Sequence, residues 1–298
     1  MAAHADAAGE TVPITATPRP AASLVLLRDS PAGVQVYMLK RSGEDDVLAG
    51  AHVFPGGKVD REDAEDEALA RLGAPSHELH ALLAEPELDA AQAAALFVAA
   101  IRETFEEAGV LFSAQADARL AERATALRRE GCGFVEVLQT LDLQLDAQAV
   151  APWSRWVTPQ VPSMMRKRFD TRFFVGRMPG TQQPQPDPRE SVGGDWVLPH
   201  ELLRRYWKEE VAMAAPQIMT LAHLTQFGDV DAVMAEARRR APPVIRPEPH
   251  EEGGVRFVTY PGDERHSVRE RAMPGPTRLR VEGRRFHPPP GFDDWYAR

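Results

Sequence analysis

The sequence predicts an α/β fold, on three observations. Two aliphatic, β-branched runs, Ser23 to Asp29 and Val34 to Arg41, flank the turn residues Ser30-Pro31-Ala32-Gly33 and read as an antiparallel pair. A capped helical stretch then runs from Asp89 to Ala108, and further short extended and helical stretches follow it. With 298 residues, 43% of them hydrophobic, the chain can bury a sizeable core, and one decorated domain is expected.

Each element has its local reason. His52-Val53-Phe54 is a short third strand running into Pro55-Gly56-Gly57. Asp89 suits the N-cap of the following helix, Gly109 suits its C-terminal stop, and the interior is rich in Ala, Leu, Phe and Glu. Residues 109 to 112 return the chain to extended structure. Helical stretches follow at Ala114 to Glu130 and Phe134 to Leu141, leading to Trp153-Ser154-Arg155-Trp156, and Arg168 to Met178 reads as strand. Thr181 to Pro188, with three prolines in eight residues, is an exposed loop. Asp195-Trp196-Val197 reads as a strand feeding a helix that starts near Pro199. Helices are expected at Pro216 to Phe227 and Val230 to Arg240, then strands at Val255 to Tyr260 and Arg278 to Val281 ahead of Pro288-Pro289-Pro290. No internal repeat is visible. The organisation expected is a disordered tail over residues 1–20, a main domain over 21–240 and a partly irregular extension over 241–298.

Charge and composition exclude several classes. A net charge of −9 argues against coating nucleic acid or an anionic membrane, so a polyanionic substrate needs metal ions and local arginines. The single Cys132 cannot form an internal disulfide, and no Cys/His cluster has zinc-site spacing. No signal peptide, membrane span or Ser-Lys-Leu ending is present, and a reducing cytoplasm is the expected compartment.

The chemistry concentrates in Arg102-Glu103-Thr104-Phe105-Glu106-Glu107-Ala108-Gly109-Val110. At about 100° per residue, Glu103, Glu106 and Glu107 fall within one narrow arc of a helix, opposite the apolar stripe of Phe97, Val98, Ile101, Phe105 and Ala108. Three carboxylates within a turn repel one another unless a positive group sits among them. A hard divalent cation would serve, since magnesium takes oxygen ligands and bridges carboxylates to phosphates. Arg102 can fix the direction of a carboxylate through a bidentate pair. An acidic triplet alone is more often a solvated helix face, so the reading depends on its surroundings.

Gly57, with Asp63 six positions on, and then Arg102 to Val110 resemble the Nudix box, in which Gly and Glu precede Arg-Glu-aliphatic-x-Glu-Glu-x-Gly-aliphatic. Two departures stand out: Asp63 replaces the usual Glu, and 38 residues rather than seven separate it from Arg102. An interrupted box resembles the acyl-coenzyme A diphosphatase branch, and the insertion is placed at about residues 64–96. Upstream, Arg41-Ser42, Gly50 and Phe54-Pro55-Gly56-Gly57 are similar in spacing to a coenzyme A signature, although Asp46 stands at its middle arginine. Trp153, Trp156-Val157-Thr158-Pro159 and the Arg168 to Phe174 stretch look similar to later parts of that branch.

The resemblance implies an α/β/α sandwich with a mixed sheet, a helical insertion within the box and extra C-terminal helices. It implies that Glu103, Glu106 and Glu107, with the Gly57 carbonyl, hold Mg2+ or Mn2+, that Arg102 orients the carboxylates, and that Glu103 is the favoured acceptor of the water's proton. Arg41, Gly56, Lys58 and Arg168 are candidate substrate contacts, although the basic cluster of Arg166, Lys167 and Arg168, which could meet a 3′-phosphate, is more often a solvated loop. Asp63 and Glu62 are either a further ligand or the start of a solvated insert. Trp153 and Trp156 could stack on adenine or pack in the core. The implied reaction splits coenzyme A or acyl-coenzyme A into adenosine 3′,5′-bisphosphate and phosphopantetheine or its acylated form. A Nudix pyrophosphatase for ADP-ribose, a nucleotide sugar or a dinucleotide remains an alternative, as does a non-catalytic nucleotide-binding module. A small nucleotide is the expected partner, without nucleic acid or membrane, and a homodimer is left open.

Overall fold

A computed structural model describes residues 16–42, 50–160 and 168–297. Asp46, Arg166, Lys167 and residues 1–15 of the expected tail therefore lie outside the described residues. In chain order the elements are β1 Arg19–Ser30, β2 Gly33–Arg41, β3 His52–Val53, β4 Gly56–Lys58, α1 Asp66–Leu69, α2 Ser76–Leu83, α3 Ala90–Ala108, α4 Ala118–Arg129 and α5 Phe134–Thr140. Then come β5 Val150–Val157, β6 Phe169–Arg177, β7 Ser191–Val197, α6 Pro199–Trp207, α7 Ala215–Leu224, α8 Val230–Arg239, β8 Val244–Ile245, β9 Glu248–Glu252, β10 Val255–Thr259, β11 Arg278–Glu282 and β12 Arg285–His287.

The main sheet runs β3-β2-β1-β6-β5-β8, with β4 added to β1 and β7 to β2. The β1–β6 and β5–β8 pairs are parallel and the rest antiparallel, so the sheet is mixed. Alternation along β1 sends Ala22, Leu24 and Leu26 to one face and Val25 and Leu27 to the other. The first face packs on α1 to α5, the second on α6 to α8 and residues of the C-terminal strands. This is the expected sandwich of helices around a mixed sheet.

The helix that carries the acidic face begins and ends where its caps dictate. Asp89 accepts the Gln92 N–H at 2.7 Å while the Gln92 side chain accepts the Asp89 N–H at 3.0 Å, and Gly109 closes the helix at φ 67°.

Several stretches differ from expectation. Residues 109–112 leave the helix without joining a sheet, and the Gln182 side-chain amide bonds both the N–H and the C=O of Leu111, each at 2.9 Å, as a neighbouring strand would. The helix expected from Ala114 starts at Ala118, because Asp117 caps it. β5 occupies the Trp153 stretch that carried no strand assignment. Beyond α8, β9 to β12 form a four-stranded antiparallel sheet in the order β12-β11-β10-β9.

Candidate active site

The site forms where β4 meets α3. β4 is held to β1 by the pairs Ala21 with Lys58, Ala22 with Gly57 and Ser23 with Gly56, which brings both glycines beside the acidic helix face. A larger residue would clash with backbone at Gly56 and would displace the Glu103 carboxylate at Gly57. A Cβ on Gly56 would lie 2.6 Å from the Ala22 oxygen, and one on Gly57 would lie 2.4 Å from Oε1 of Glu103. Glu107 accepts the Gly56 N–H at 2.9 Å.

Arg102 sits at the centre, 7% exposed, against Asp63, which is 1% exposed. Its Nε donates to Asp63 Oδ1 at 2.7 Å and its Nη2 to Oδ2 at 2.9 Å, a bidentate clamp across the split box. Nη2 also donates to the Lys58 carbonyl at 3.0 Å. Nη1 donates to Glu103 at 2.9 Å and to Glu106 at 3.0 Å. Burial opposes the guanidinium charge, but the bonds to Asp63 and the neighbouring Glu103 and Glu106 outweigh it and raise its pKa.

The three glutamates sit in different settings. Glu106 pairs with Arg128 on α4 at 2.9 Å as well as with Arg102. Burial drives the Glu103 carboxyl up to about 7, against the pull of Arg102. Burial likewise drives Glu107 up to about 8, with Gly56 opposing and the charges of Glu103 and Glu190 adding to the rise. Among the described residues no group of three or more His, Cys, Asp or Glu side chains stands as a ready metal cage. The donor set nonetheless suits a hard divalent cation. Glu103 and Glu107 are half-buried carboxylates that repel each other, and the Gly57 backbone lies against Glu103.

A cleft of about 470 Å³ opens from this face. Arg41, Gly56, Gly57, Lys58 and Glu107 line it, so most of the expected substrate contacts come together there. Arg168 does not line it; its guanidinium donates to the carbonyls of Thr158 and Ala16, both at 3.0 Å. Trp156 lines the cleft, whereas Trp153 is core, with its ring 4.6 Å from His223 and the Arg240 guanidinium 4.7 Å from its centroid. Asp63 is taken up by Arg102 and by the Asp60 N–H at 2.8 Å, so both of its oxygens are engaged within the chain. Its place six residues after Gly57 was the available signal for this contact. Arg128 and Glu190, by contrast, carry no sequence mark that ties them to the site.

The fold is that of a Nudix hydrolase: the crystal structure of a Nudix hydrolase from Alicyclobacillus acidocaldarius superimposes with a TM-score of 0.62 at 28% identity, covering 74% of this chain and 97% of that one. Residues 3–224 match the family described as the NUDT19 Nudix domain, and the chain belongs to that family. It is similar to the acyl-coenzyme A diphosphatase NUDT19 of Homo sapiens, 29% identical over 262 residues that cover 75% of this chain and 68% of the human protein. It is also similar to the Gallus gallus protein of the same name, 29% identical and covering 67% of this chain and 64% of that one. The chain thus spans about two thirds of the length of these relatives. Family, fold and site together make it a pyrophosphohydrolase.

Proposed function

We propose that the enzyme splits the pyrophosphate link of coenzyme A or an acyl-coenzyme A, releasing adenosine 3′,5′-bisphosphate and phosphopantetheine or its acylated form. The observation that carries this reading is one cleft that joins the half-buried Glu107 carboxylate, at the acidic helix face, to an apolar region, as a substrate with a diphosphate and a greasy arm requires. The activity named for the human and chicken relatives supports it.

Glu103, Glu106 and Glu107 with the Gly57 carbonyl are the groups that would hold Mg2+ or Mn2+. Bound there, the cation supplies charge neutralisation at the diphosphate and a more acidic water. Glu103 is the acceptor we assign to the proton of the attacking water, a role its bond to Arg102 and its closeness to Gly57 support. Arg102 holds Glu103 and Glu106 in direction. Arg41 and Lys58, at the charged end of the cleft, face the phosphates. We take residues 21–240 as the catalytic domain with its insertion at about 64–96, and 241–298 as an extension that helps wall the cleft. Among the described residues no helix is long and apolar enough to cross a membrane, and the lone cysteine suits the cytoplasm we propose.

The test is hydrolysis of coenzyme A, an acyl-coenzyme A, ADP-ribose and a dinucleotide with magnesium, products identified by mass, beside a Glu106→Gln control. Adenosine 3′,5′-bisphosphate formed only by the unsubstituted enzyme supports the reading. Turnover confined to another substrate replaces the coenzyme A assignment, and no metal-dependent turnover overturns the catalytic one.

A further inference from the structure

The cleft extends well past the acidic helix face. Strand register measures how far: Trp156 on β5 pairs with Thr171 on β6, Thr171 with Ala21 on β1, and Ala21 with Lys58 on β4. Three strand spacings, about 14 Å in all, therefore separate Trp156 from Lys58 across the sheet. The far region is apolar and is built partly by the C-terminal sheet, with Trp156, Phe173, Val258, Tyr260 and Phe286 among its lining. Charged lining groups such as Arg41, Lys58, Glu107 and Glu190 belong to the near region.

Within this apolar wall stand polar atoms that lack partners. The Tyr260 hydroxyl and the Trp156 indole N–H are both buried without a hydrogen bond, and the Gln217 side-chain oxygen at the start of α7 is in the same state. Tyr260 is 1% exposed and Trp156 5%, and the two rings meet edge to face at 5.8 Å. Buried polar groups are nearly always paired, and leaving one unpaired is costly. Ten such atoms occur among the described residues, and the three residues that bear these atoms all line one cavity. A purely hydrocarbon ligand would leave them unpaired. A chain with carbonyl acceptors set along an apolar body would satisfy the two donors.

We propose that this chamber is a distinct subsite for an amide- or thioester-bearing apolar arm, in which the Tyr260 hydroxyl and the Trp156 N–H donate to the arm's carbonyls. Val258 and Phe286, contributed by the C-terminal sheet, set how much of the chain can enter. The assignment rests on the coenzyme A reading for the identity of the arm, as the pantetheine and acyl half of the substrate.

The probe is S-octanoylpantetheine, which has neither nucleotide nor pyrophosphate, titrated calorimetrically into the full chain without metal. Binding is expected. Tyr260→Phe, which removes only an oxygen, should weaken it roughly tenfold while the melting temperature of the ligand-free protein stays unchanged or rises, since an unpaired buried hydroxyl is lost. Val258→Trp, which fills the chamber, should abolish binding, and Glu106→Gln should leave it within twofold. No binding by the unsubstituted chain, or binding that Tyr260→Phe and Val258→Trp both leave within twofold, overturns the subsite. Probe binding without coenzyme A hydrolysis supports the subsite and refutes the catalytic reading. Coenzyme A hydrolysis without probe binding does the reverse.

Discussion

Replacing Asp63 by asparagine removes one charge and almost no volume, so its effect isolates the clamp on Arg102. In either amide orientation the new NH2 must face a donor: Arg102 Nη2 at 2.9 Å and the Asp60 N–H at 2.8 Å, or Arg102 Nε at 2.7 Å. Arg102 is 7% exposed, so water cannot replace the lost acceptor. Breaking a buried pair by removing one partner costs about 3–5 kcal/mol. At roughly 2–4 °C per kcal/mol, the melting temperature should fall by about 10 °C. The same guanidinium directs Glu103 and Glu106, so kcat should fall at least about tenfold, a loss of about 1.4 kcal/mol in transition-state stabilisation. Calorimetric melting and steady-state kinetics read the two effects. A double-mutant cycle with Asp63→Leu and Arg102→Met should return a coupling energy of about 2 kcal/mol or more. A loss of stability below about 1 kcal/mol with kcat within twofold would refute the clamp.

Gly57→Ala forces a methyl to within 2.4 Å of Glu103 Oε1, and a displacement of about 1 Å at a catalytic group costs roughly 100-fold; kcat should drop by that order with little change in melting temperature, because the far end of a flexible side chain gives way. Arg172→Met removes a buried partner of Glu85, bonded at 3.0 and 2.5 Å, and should cost about 3 kcal/mol or more in denaturant unfolding, even though Arg155 at 2.7 Å still faces Glu85. His223, 9% exposed, has its pKa lowered from 6.5 to about 4 by burial, with Arg240 adding to the effect. Below pH 6.5 the unfolded chain takes up a proton that the folded one refuses, so the contribution of His223 to stability should fall by about 3 kcal/mol between pH 6.5 and 4 and be constant above that window; the difference between the wild-type and His223→Phe profiles measured by urea unfolding should show this fall.

Much of the framework was legible because it rests on local rules. Asp89, Gly109 and the 3.6-residue apolar stripe delimit α3, and turn chemistry at Pro31 to Gly33 marks the β1–β2 connection. β5 escaped notice for a physical reason. Seven of its eight residues are buried, Arg155 and Ser154 among them, so it lacks alternation, and Pro152 interrupts its short apolar start. Gln182 bonds Leu111 as a neighbouring strand would, through a contact 71 positions away, which no local pattern records. The glutamate face was visible, but the turn of Glu106 toward Arg128 depends on where α4 docks. The basic run ending at Arg168 left a phosphate contact and a solvated loop both open, and the Arg168 guanidinium is spent on two backbone carbonyls. The apolar end of the cleft was illegible because its walls come from β5, β6 and a C-terminal sheet remote in sequence.

The split box raises the question of why an insertion is tolerated inside a catalytic motif. Lengthening the connection from seven to 38 residues raises the loop-closure entropy by (3/2)RT ln(38/7), about 1.5 kcal/mol. The insert offsets this locally. Ala68, Leu79 and Leu83 bury completely against the α3 side of the sheet, and each buried leucine is worth about 2 kcal/mol before its ordering cost. The connection is also tied down at two points: Asp63 is clamped to Arg102 at the site, and Glu85 just beyond α2 is bonded to Arg172 and Arg155 on the central strands. What the motif requires is that an acidic group reach Arg102 in a fixed direction, and a folded insert anchored at both points delivers that as well as a short loop does. Sequence adjacency within the box is therefore not needed to bring Asp63 onto Arg102, at 2.7 and 2.9 Å, across the insert.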